Sequence, residues 1–360
     1  MMTCGGGPAS GPLPLAGQGP DAGALARWLQ VRTGANRVGI EGCERLAGGA
    51  IQETWGFDAE FAGGTLPGYH RLVFRMDPAC RLPQGIGRAG ECAVQRLVHG
   101  AGVTVAEPLF LDADGSVAGR PGYVMRHVAG TTDPGALVHG RLAATTRTTL
   151  VREAGRQLAI LHRITPDSIA CSQRPDCLAR LPEDPALHRL ETLERELDSL
   201  PEPLPALEWA LRQLRRSAPR SRPVVLCHGD YRIGNIMVAD GTITAVLDWE
   251  FAGWSDPMED IGWFCSRCWR HGADAREAGG LAGRRELEQG YADAGAGPAD
   301  RDVIAFWEAV AATRWAIIAH CQSRRTPTPP ALALDLALTG RKAVEVELEA
   351  VTLAEAVRRG

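Results

Sequence analysis

Residues that could do chemistry are concentrated between positions 228 and 248 of this 360-residue chain. His228-Gly229-Asp230 is followed by Asn235 and then by Asp248, and two apolar runs separated by Asp240-Gly241 lie between the last two. Apolar runs around an Asp-Gly pair predict a β-hairpin, which brings its two ends together. We therefore expect the amide oxygen of Asn235 and the carboxylate of Asp248 to lie side by side, as hard oxygen ligands that suit Mg²⁺. Asp230 would be close enough to act on a substrate hydroxyl, which indicates phosphoryl transfer.

This spacing resembles a known family. A His-Gly-Asp-x4-Asn run followed thirteen residues later by Asp-Trp-Glu is similar to the catalytic core of the aminoglycoside phosphotransferase and choline kinase superfamily, relatives of the protein kinases. The resemblance implies that Asp230 is the base that orients or deprotonates the acceptor hydroxyl, and that Asn235 and Asp248 hold the metal. It also implies that Glu250 is an outer or second-metal ligand.

Four neighbouring residues have supporting roles in this resemblance. His228 and Gly229 would shape the loop, while Asp256 and Asp260 would brace it without touching the substrate. The alternative for the whole stretch is an ordinary buried hairpin with a solvated turn. The joint spacing of one amide and two carboxylates favours the catalytic interpretation.

A nucleotide-binding region is expected upstream of this core. Gly48 and Gly49, between two predicted strands, would let the backbone approach phosphates closely. The strand that follows carries Arg75 where the superfamily usually has Lys, and Glu91 on the next helix is its expected partner; a surface ion pair is the alternative. The chain contains a single Lys, Lys342, so Arg75 would have to steady the α- and β-phosphates although the two side chains are not interchangeable.

The strand around Met125 is expected to lead into a hinge. In the resemblance, backbone groups of Met125 and His127 would bond the adenine edge, and a plain strand end is the alternative. The expected cofactors are ATP and Mg²⁺, with GTP left open.

The expected fold class is α+β, a protein-kinase-like bilobal fold with a small β-rich N-lobe and a large, mainly helical C-lobe. Residues 1–22 would form a flexible tail, 23–128 the nucleotide-binding lobe and hinge, and 129–360 the helical lobe with the catalytic hairpin. The role of the loop at 165–185 stays open. Apolar spacing predicts helices over 145–164, 187–200, 207–214, 284–294, 301–322 and 332–358.

The composition and charge of the chain indicate which classes of partner to expect. A net charge of −4 and a pI near 6.2 do not show the excess of positive charge that is typical of nucleic-acid-binding proteins. No continuous apolar run reaches the length of a membrane-spanning helix, and the first twenty residues lack the basic start and apolar core of a signal peptide. We expect a cytoplasmic protein that binds a small-molecule acceptor, without nucleic acid or membrane; the oligomeric state is left open.

Cys265 and Cys268 have the spacing of a zinc or redox motif, but no second pair follows. Two buried thiols on one helix is the expected arrangement.

The sequence gives less information about which molecule would accept the phosphoryl group. Six of the nine Trp lie between positions 249 and 315, where they could cage a quaternary ammonium, although core packing is the favoured interpretation. Arginines in the same region would favour an anionic acceptor over a polycationic aminoglycoside, or else lie on solvated helix faces. The chain most resembles bacterial phosphotransferases related to the kinase domain joined to some acyl-CoA dehydrogenases, which implies a hydroxyacyl-CoA-type acceptor. An aminoglycoside- or choline-type kinase and a non-catalytic nucleotide-binding module are the alternatives.

Overall fold

The computed structural model describes residues 19–46, 53–78, 85–220, 223–324 and 338–359. The chain forms two compact units. The first contains the described residues up to Cys92 together with Glu107–His127, and the second contains Ala93–Ala106 and the chain from Val128 onward. Ala93–Ala106 is tied to the second unit by Thr104, whose N–H donates to the side chain of Gln157 at 2.7 Å and whose carbonyl accepts from Val246 at 2.7 Å.

The first unit is a five-stranded antiparallel sheet with one helix packed on it. In space the strands run β1-β2-β3-β5-β4. Leu25 and Leu29 of the helix are fully buried against sheet residues that include Phe57 and Phe74, which forms one apolar core. The elements are α1 (Ala22–Thr33), β1 (Arg37–Arg45), β2 (Glu53–Ala62), β3 (Gly68–Met76), β4 (Pro108–Asp112) and β5 (Gly122–Arg126), and α2 (Gly87–Gly100) begins in this unit.

The second unit is mainly helical. Its helices are α3 (Pro134–His139), α4 (Ala144–Leu161), α5 (Pro185–Asp198), α6 (Pro205–Arg216), α7 (Pro257–Cys265), α8 (Arg284–Tyr291), α9 (Arg301–Ser323) and α10 (Ala343–Arg359). Its four short strands are β6 (Val225–Cys227), β7 (Ile236–Ala239), β8 (Thr242–Val246) and β9 (Gly253–Ser255). β6 pairs with β9, and β7 pairs with β8. Three of these helices begin after an aspartate: the side chains of Asp184, Asp256 and Asp300 accept from backbone N–H groups in the first turns of α5, α7 and α9.

The segment at 165–185, whose role the sequence leaves open, contains three short 3₁₀ turns. They occupy Pro166–Ser168, Cys171–Gln173 and Asp176–Leu178. Residues 332–337, the first six that the sequence assigns to the last helix, lie outside the described residues. The two expected phosphate-loop glycines, Gly48 and Gly49, also lie outside them.

The expectation of two thiols on one helix is wrong. Helix α7 ends at Cys265 because Ser266 is extended, with φ −58° and ψ 140°, and Cys268 lies in the 3₁₀ turn Arg267–Trp269. Burial raises the pKa of both thiols to about 12, which makes them poor redox nucleophiles at neutral pH.

The expectation that no segment reaches membrane-spanning length is also too strict. Helix α9 has 23 residues and is apolar enough to qualify by length and composition, but 72% of its apolar window is buried inside the protein. Val303, Phe306 and Val310 are among the buried side chains of this helix. That burial is what a core helix requires.

Candidate active site

The predicted hairpin is present and brings Asn235 next to the segment that ends in Asp248. The turn residues Asp240 and Gly241 have φ of 49° and 74°, the left-handed pair that a two-residue hairpin needs and that Asp-Gly supplies. Leu247 donates its N–H to the carbonyl of Asn235 at 2.8 Å, immediately before Asp248. The hairpin is therefore confirmed, and it brings Asn235 and Asp248 near each other although they are thirteen positions apart in the sequence.

Asp248 has a conformation that few residues adopt. Its φ is 69°, in the left-handed region that costs a side-chain-bearing residue on the order of 1 kcal/mol and that is tolerated best by Asn and Asp. Its side chain is half-buried, and Glu250 lies half-buried in the turn between β8 and β9.

The carboxylate of Asp230 is held by three donors. Its Oδ1 accepts from the indole Nε1 of Trp263 at 2.8 Å. Its Oδ2 accepts from Nδ2 of Asn235 at 2.7 Å and from Nε of Arg232 at 3.1 Å. Because Asn235 donates with its nitrogen, its amide oxygen takes no part in these bonds and is the atom suited to a cation.

The backbone of the loop is fixed by Asp260 of α7. Its Oδ2 accepts from the N–H of His228 at 2.7 Å and its Oδ1 from the N–H of Gly229 at 2.9 Å. Burial of this carboxyl acts to raise its pKa, but the hydrogen bond and charge of His162, together with His228, outweigh burial and lower the pKa. Asp260 is therefore an ionised brace, as the sequence predicts.

His228 connects the loop to the far end of the hairpin. Its Nε2 lies 2.9 Å from the carbonyl of Leu247, and its Nδ1 accepts from the N–H of Asp230 at 3.2 Å. The neutral tautomer with a proton on Nε2 satisfies both contacts. Its ring also packs on Trp249, with 4.5 Å between ring centroids. This buried imidazole is structural and touches none of the atoms that would react.

Tryptophan and arginine side chains surround the loop in a way that the sequence alone does not show. The guanidinium of Arg314 lies 4.4 Å from the ring centroid of Trp263 and donates to the carbonyl of Gly229 at 2.7 Å. The guanidinium of Arg232 lies 4.8 Å from the ring centroid of Trp269. Five of the six clustered tryptophans are buried, so core packing is confirmed for them, and Trp315 is half-buried.

A cavity of about 360 Å³ opens beside the turn that carries Trp269. Charged and apolar side chains both line this cavity. Arg267, which pairs with Asp274 at 3.1 Å, and Glu349 of α10 are charged, and Leu348 of α10 is apolar. The lining residues are Ser266, Arg267, Arg270, Glu308, Glu345, Leu348, Glu349, Thr352 and Leu353.

In the first unit, Arg75 and Glu91 form the predicted pair, but in the interior and not at the surface. Nε of Arg75 lies 3.0 Å from Oε1 of Glu91, and the two side chains are 7% and 1% exposed. Glu91 also pairs with buried Arg88, which the sequence analysis missed. Burial acts to raise the pKa of Glu91, and the two arginines outweigh it and lower the pKa.

Met125 lies in β5 of the five-stranded sheet, and His127 directly follows that strand. These are the two residues whose backbone groups are expected to bond adenine. Met125 is buried in β5 and pairs with Val73 of β3. The N–H of His127 donates to the carbonyl of Arg71 at 3.1 Å, and burial, followed by the charge of Arg71, lowers the pKa of its ring.

Among the described residues, one compact group combines His, Cys and Asp: His162, Cys227 and Asp260. Both ring nitrogens of His162 are already engaged, with Asp260 at 3.2 Å and Tyr291 at 3.0 Å. Burial raises the pKa of the Cys227 thiol well above its ordinary value. This group is a hydrogen-bonded support. The oxygen donors Asn235 and Asp248 are the residues whose chemistry fits Mg²⁺.

Comparison with known proteins gives consistent relatives. Acyl-CoA dehydrogenase family member 10 of Mus musculus is 25% identical over 198 residues, which are 54% of this chain and 18% of that protein. Member 11 of Gallus gallus is 30% identical over 180 residues, 48% of this chain and 22% of that protein. The match thus spans about a fifth of the length of these relatives.

Solved structures share the fold. A putative aminoglycoside phosphotransferase from Ralstonia eutropha has a TM-score of 0.70 at 23% identity, with 94% of this chain and 99% of that chain covered. A choline/ethanolamine kinase family protein from Mesorhizobium loti has a TM-score of 0.54 at 20% identity, with 89% and 93% covered. Residues 43–310 match the profile of the phosphotransferase enzyme family APH. The chain therefore belongs to the APH phosphotransferase enzyme family and has the kinase-like α+β fold that the sequence predicts.

Proposed function

We propose that this protein is an ATP- and Mg²⁺-dependent phosphotransferase that moves the γ-phosphate to a hydroxyl of a small molecule. The observation that carries the proposal is the carboxylate of Asp230, held by three donors on a braced loop, with Asn235 and Asp248 presented by the hairpin that follows. GTP remains an alternative donor, since the neighbouring structures include complexes with ADP and with GDP.

Each residue has a defined part in this proposal. Asp230 would hold the acceptor hydroxyl in line and take its proton. Asn235 and Asp248 would hold Mg²⁺, with Glu250 as a further ligand; when bound, the ion neutralises charge on the phosphates. Arg75, oriented by Glu91, would steady the α- and β-phosphates. Phosphoryl transfer has a loose transition state, so positioning and charge stabilisation supply most of the catalysis.

Two further parts of the proposal concern the nucleotide. Gly48 and Gly49 would approach its phosphates. Backbone groups near Met125 and His127 would bond its base.

For the acceptor we propose a hydroxyacyl-CoA-type molecule. Support comes from the curated relatives, which are named acyl-CoA dehydrogenase family members, and from Arg232 and Arg314, which place positive charge at the Asp230 loop. The cavity beside Trp269, with its apolar and charged walls, is the acceptor pocket in this proposal. We also propose a cytoplasmic location without nucleic-acid or membrane partners.

Two other functions are less well supported. An aminoglycoside- or choline-type kinase would have to bring a cationic acceptor next to Arg232 and Arg314, which costs Coulomb repulsion. A non-catalytic nucleotide-binding module would have no need for a base beside two metal-binding oxygens, and Asp230, Asn235 and Asp248 are all present.

The test is Mg²⁺-dependent transfer from labelled ATP and GTP to a panel of hydroxyacyl-CoAs, aminoglycosides, amino alcohols and hydroxy acids. The wild type should label one class, and Asp230→Ala should reduce turnover about 10²–10⁴-fold or more while nucleotide binding persists. Asp248→Ala should weaken metal-dependent nucleotide binding as well as the rate. Turnover near that of the wild type in either variant would refute the assignment.

A further inference from the structure

Arg232 is placed beside the reacting carboxylate by contacts on two sides. Its Nε donates to Oδ2 of Asp230 at 3.1 Å, and its guanidinium lies 4.8 Å from the ring centroid of Trp269. An ion pair on one edge and an aromatic face beneath it fix a side chain that is otherwise among the most mobile in proteins. The side chain is 27% exposed, so the group is held but not covered.

The outer edge of this guanidinium bonds no acceptor among the residues that the structure describes. Within the described ranges, Nε to Asp230 is the one hydrogen bond that the side chain of Arg232 makes, and Nη1 and Nη2 make none. The side chain also folds closely over Gly234, since a Cβ on that residue would lie 2.3 Å from Nη1. Two nitrogens with four N–H donors are therefore presented from a fixed position next to Asp230. A planar fork of this kind matches the oxygens of an oxyanion.

We propose that Arg232 is a catalytic residue whose Nη1 and Nη2 bind the non-bridging oxygens of the phosphoryl group while it is transferred. The inference rests on the proposed function. That reaction brings one oxyanion to Asp230 whatever the acceptor is, namely the transferred phosphoryl group. An Arg supplied from within the chain to this group stabilises the charge of the transition state in other phosphotransferring enzymes.

The step balances without any further reactant. The acceptor oxygen forms a bond to the γ-phosphorus, and the bond from that phosphorus to the bridging oxygen breaks with its electron pair left on the diphosphate. The hydroxyl proton passes to Asp230 or to solvent. Arg232 supplies N–H donors and positive charge and takes no part in the proton transfer. A carboxylate or phosphate on the acceptor is the other source of an oxyanion at this position.

The test compares two nucleotides that differ in the γ-phosphate. Affinities of ADP and of β,γ-imido-ATP are measured by calorimetry with Mg²⁺ for the wild type and for Arg232→Met. We expect the variant to bind the triphosphate analogue about 10- to 100-fold more weakly and ADP within about twofold of the wild type. Turnover in the transfer assay should fall about 10³-fold or more.

Two further variants make the comparison specific. Arg174→Met is the matched control, because the Arg174 side chain also lies over an indole ring, that of Trp254 at 5.8 Å, and donates only to the carbonyl of Pro166 among the described residues. It should leave both affinities unchanged. Gly234→Ala keeps every charge but pushes the guanidinium away from its position, and it should reproduce a part of the loss seen with Arg232→Met.

The outcomes separate this inference from the proposed function. If the wild type binds neither nucleotide, the proposed function fails, and this inference fails with it. If the wild type binds both and Arg232→Met keeps the same ratio of affinities, only the role of Arg232 is overturned. An unchanged ratio with a raised KM for an anionic acceptor would assign Arg232 to the acceptor and would also overturn the inference.

Discussion

The indole N–H of Trp263 donates to Oδ1 of Asp230 at 2.8 Å, across 33 positions of sequence. Trp263 belongs to α7, the same helix whose Asp260 accepts from the backbone N–H groups of His228 and Gly229 at 2.7 and 2.9 Å. One short, fully buried helix therefore fixes both the backbone of the loop and the side chain that would act as base. Arg314 lies over the face of the indole and donates to the carbonyl of Gly229, so the ring has little freedom to turn away.

The first prediction removes this single bond. Trp263→Phe keeps an aromatic ring but loses the donor to a charged oxygen, and we expect turnover to fall about 10- to 100-fold with little change in nucleotide affinity. The measurement is kcat and nucleotide Kd side by side. Trp254→Phe is the control, because it removes an indole hydrogen bond of similar length, 2.7 Å to the carbonyl of Leu178, that does not involve the Asp230 side chain. Equal losses of turnover in both variants would mean that the bond to Asp230 has no special role.

The second prediction concerns Gly229, whose backbone conformation and close contact favour a residue without a side chain. Its φ is 77°, and a Cβ there would lie 2.3 Å from the carbonyl oxygen of Phe251. Gly229→Ala should lower the free energy of unfolding by about 2–4 kcal/mol, since it adds a collision to the strain of a positive φ. Urea unfolding measures the change.

Gly272→Ala provides the reference for that experiment. Gly272 has nearly the same φ, 80°, and a Cβ at this position would meet no described atom within 4 Å. Its substitution should cost about 1 kcal/mol, the strain alone. If the two variants were equally stable, contact with the carbonyl of Phe251 would not be the reason for glycine at position 229.

The third prediction follows from the lowered pKa of Asp260. A carboxyl whose pKa is lower in the folded than in the unfolded state contributes stability above its unfolded pKa and loses that contribution as the pH falls through the folded pKa. Asp260→Asn should therefore cost about 3 kcal/mol at neutral pH, with the full difference from wild type above about pH 5 and a shrinking one below about pH 4.

Unfolding in urea across about pH 3.5 to 7, a range that begins near the ordinary pKa of an aspartate, checks this dependence. Asp274→Asn is the comparison, because Asp274 is 52% exposed in its pair with Arg267 and should contribute about 0–1 kcal/mol. A difference for Asp260→Asn that stayed constant with pH would show that the charge of the carboxylate is not what braces the loop.

Features with local signals could be predicted from the sequence, and those that depend on distant packing could not. The hairpin follows from Asp240-Gly241 between two β-branched runs, and it alone brings Asn235 towards Asp248. The bonds of Trp263 to Asp230 and of Arg314 to Gly229 span 33 and 85 positions, and apolar periodicity reports only that α7 and α9 are buried. It does not report which polar atoms they bring to the loop.

The errors have the same origin. Nothing between Cys265 and Cys268 signals a helix end, since the chain there has neither Gly nor Pro, yet Ser266 turns extended and separates the thiols. Arg88 escaped notice because a second cation three residues before Glu91 looks in sequence like an ordinary helix-surface pair. In the structure it is 2% exposed.

The last prediction tests what the burial of Arg88 means for the stability of the first unit. Glu91 is the carboxylate shared by two buried guanidinium groups, Arg75 and Arg88. Glu91→Gln should lower the free energy of unfolding by about 3–5 kcal/mol, because removal of one partner leaves buried charge uncompensated. The control is Glu107→Gln in the same unit, where the pair with Arg126 is also close, at 2.6 Å, but the side chains are 41% and 42% exposed, so that about 0–1 kcal/mol is expected. Urea unfolding of both variants gives the two values. A loss for Glu91→Gln no larger than that for Glu107→Gln would mean that the arginines find other compensation, and that Glu91 is not what sets the position of Arg75 for the phosphates.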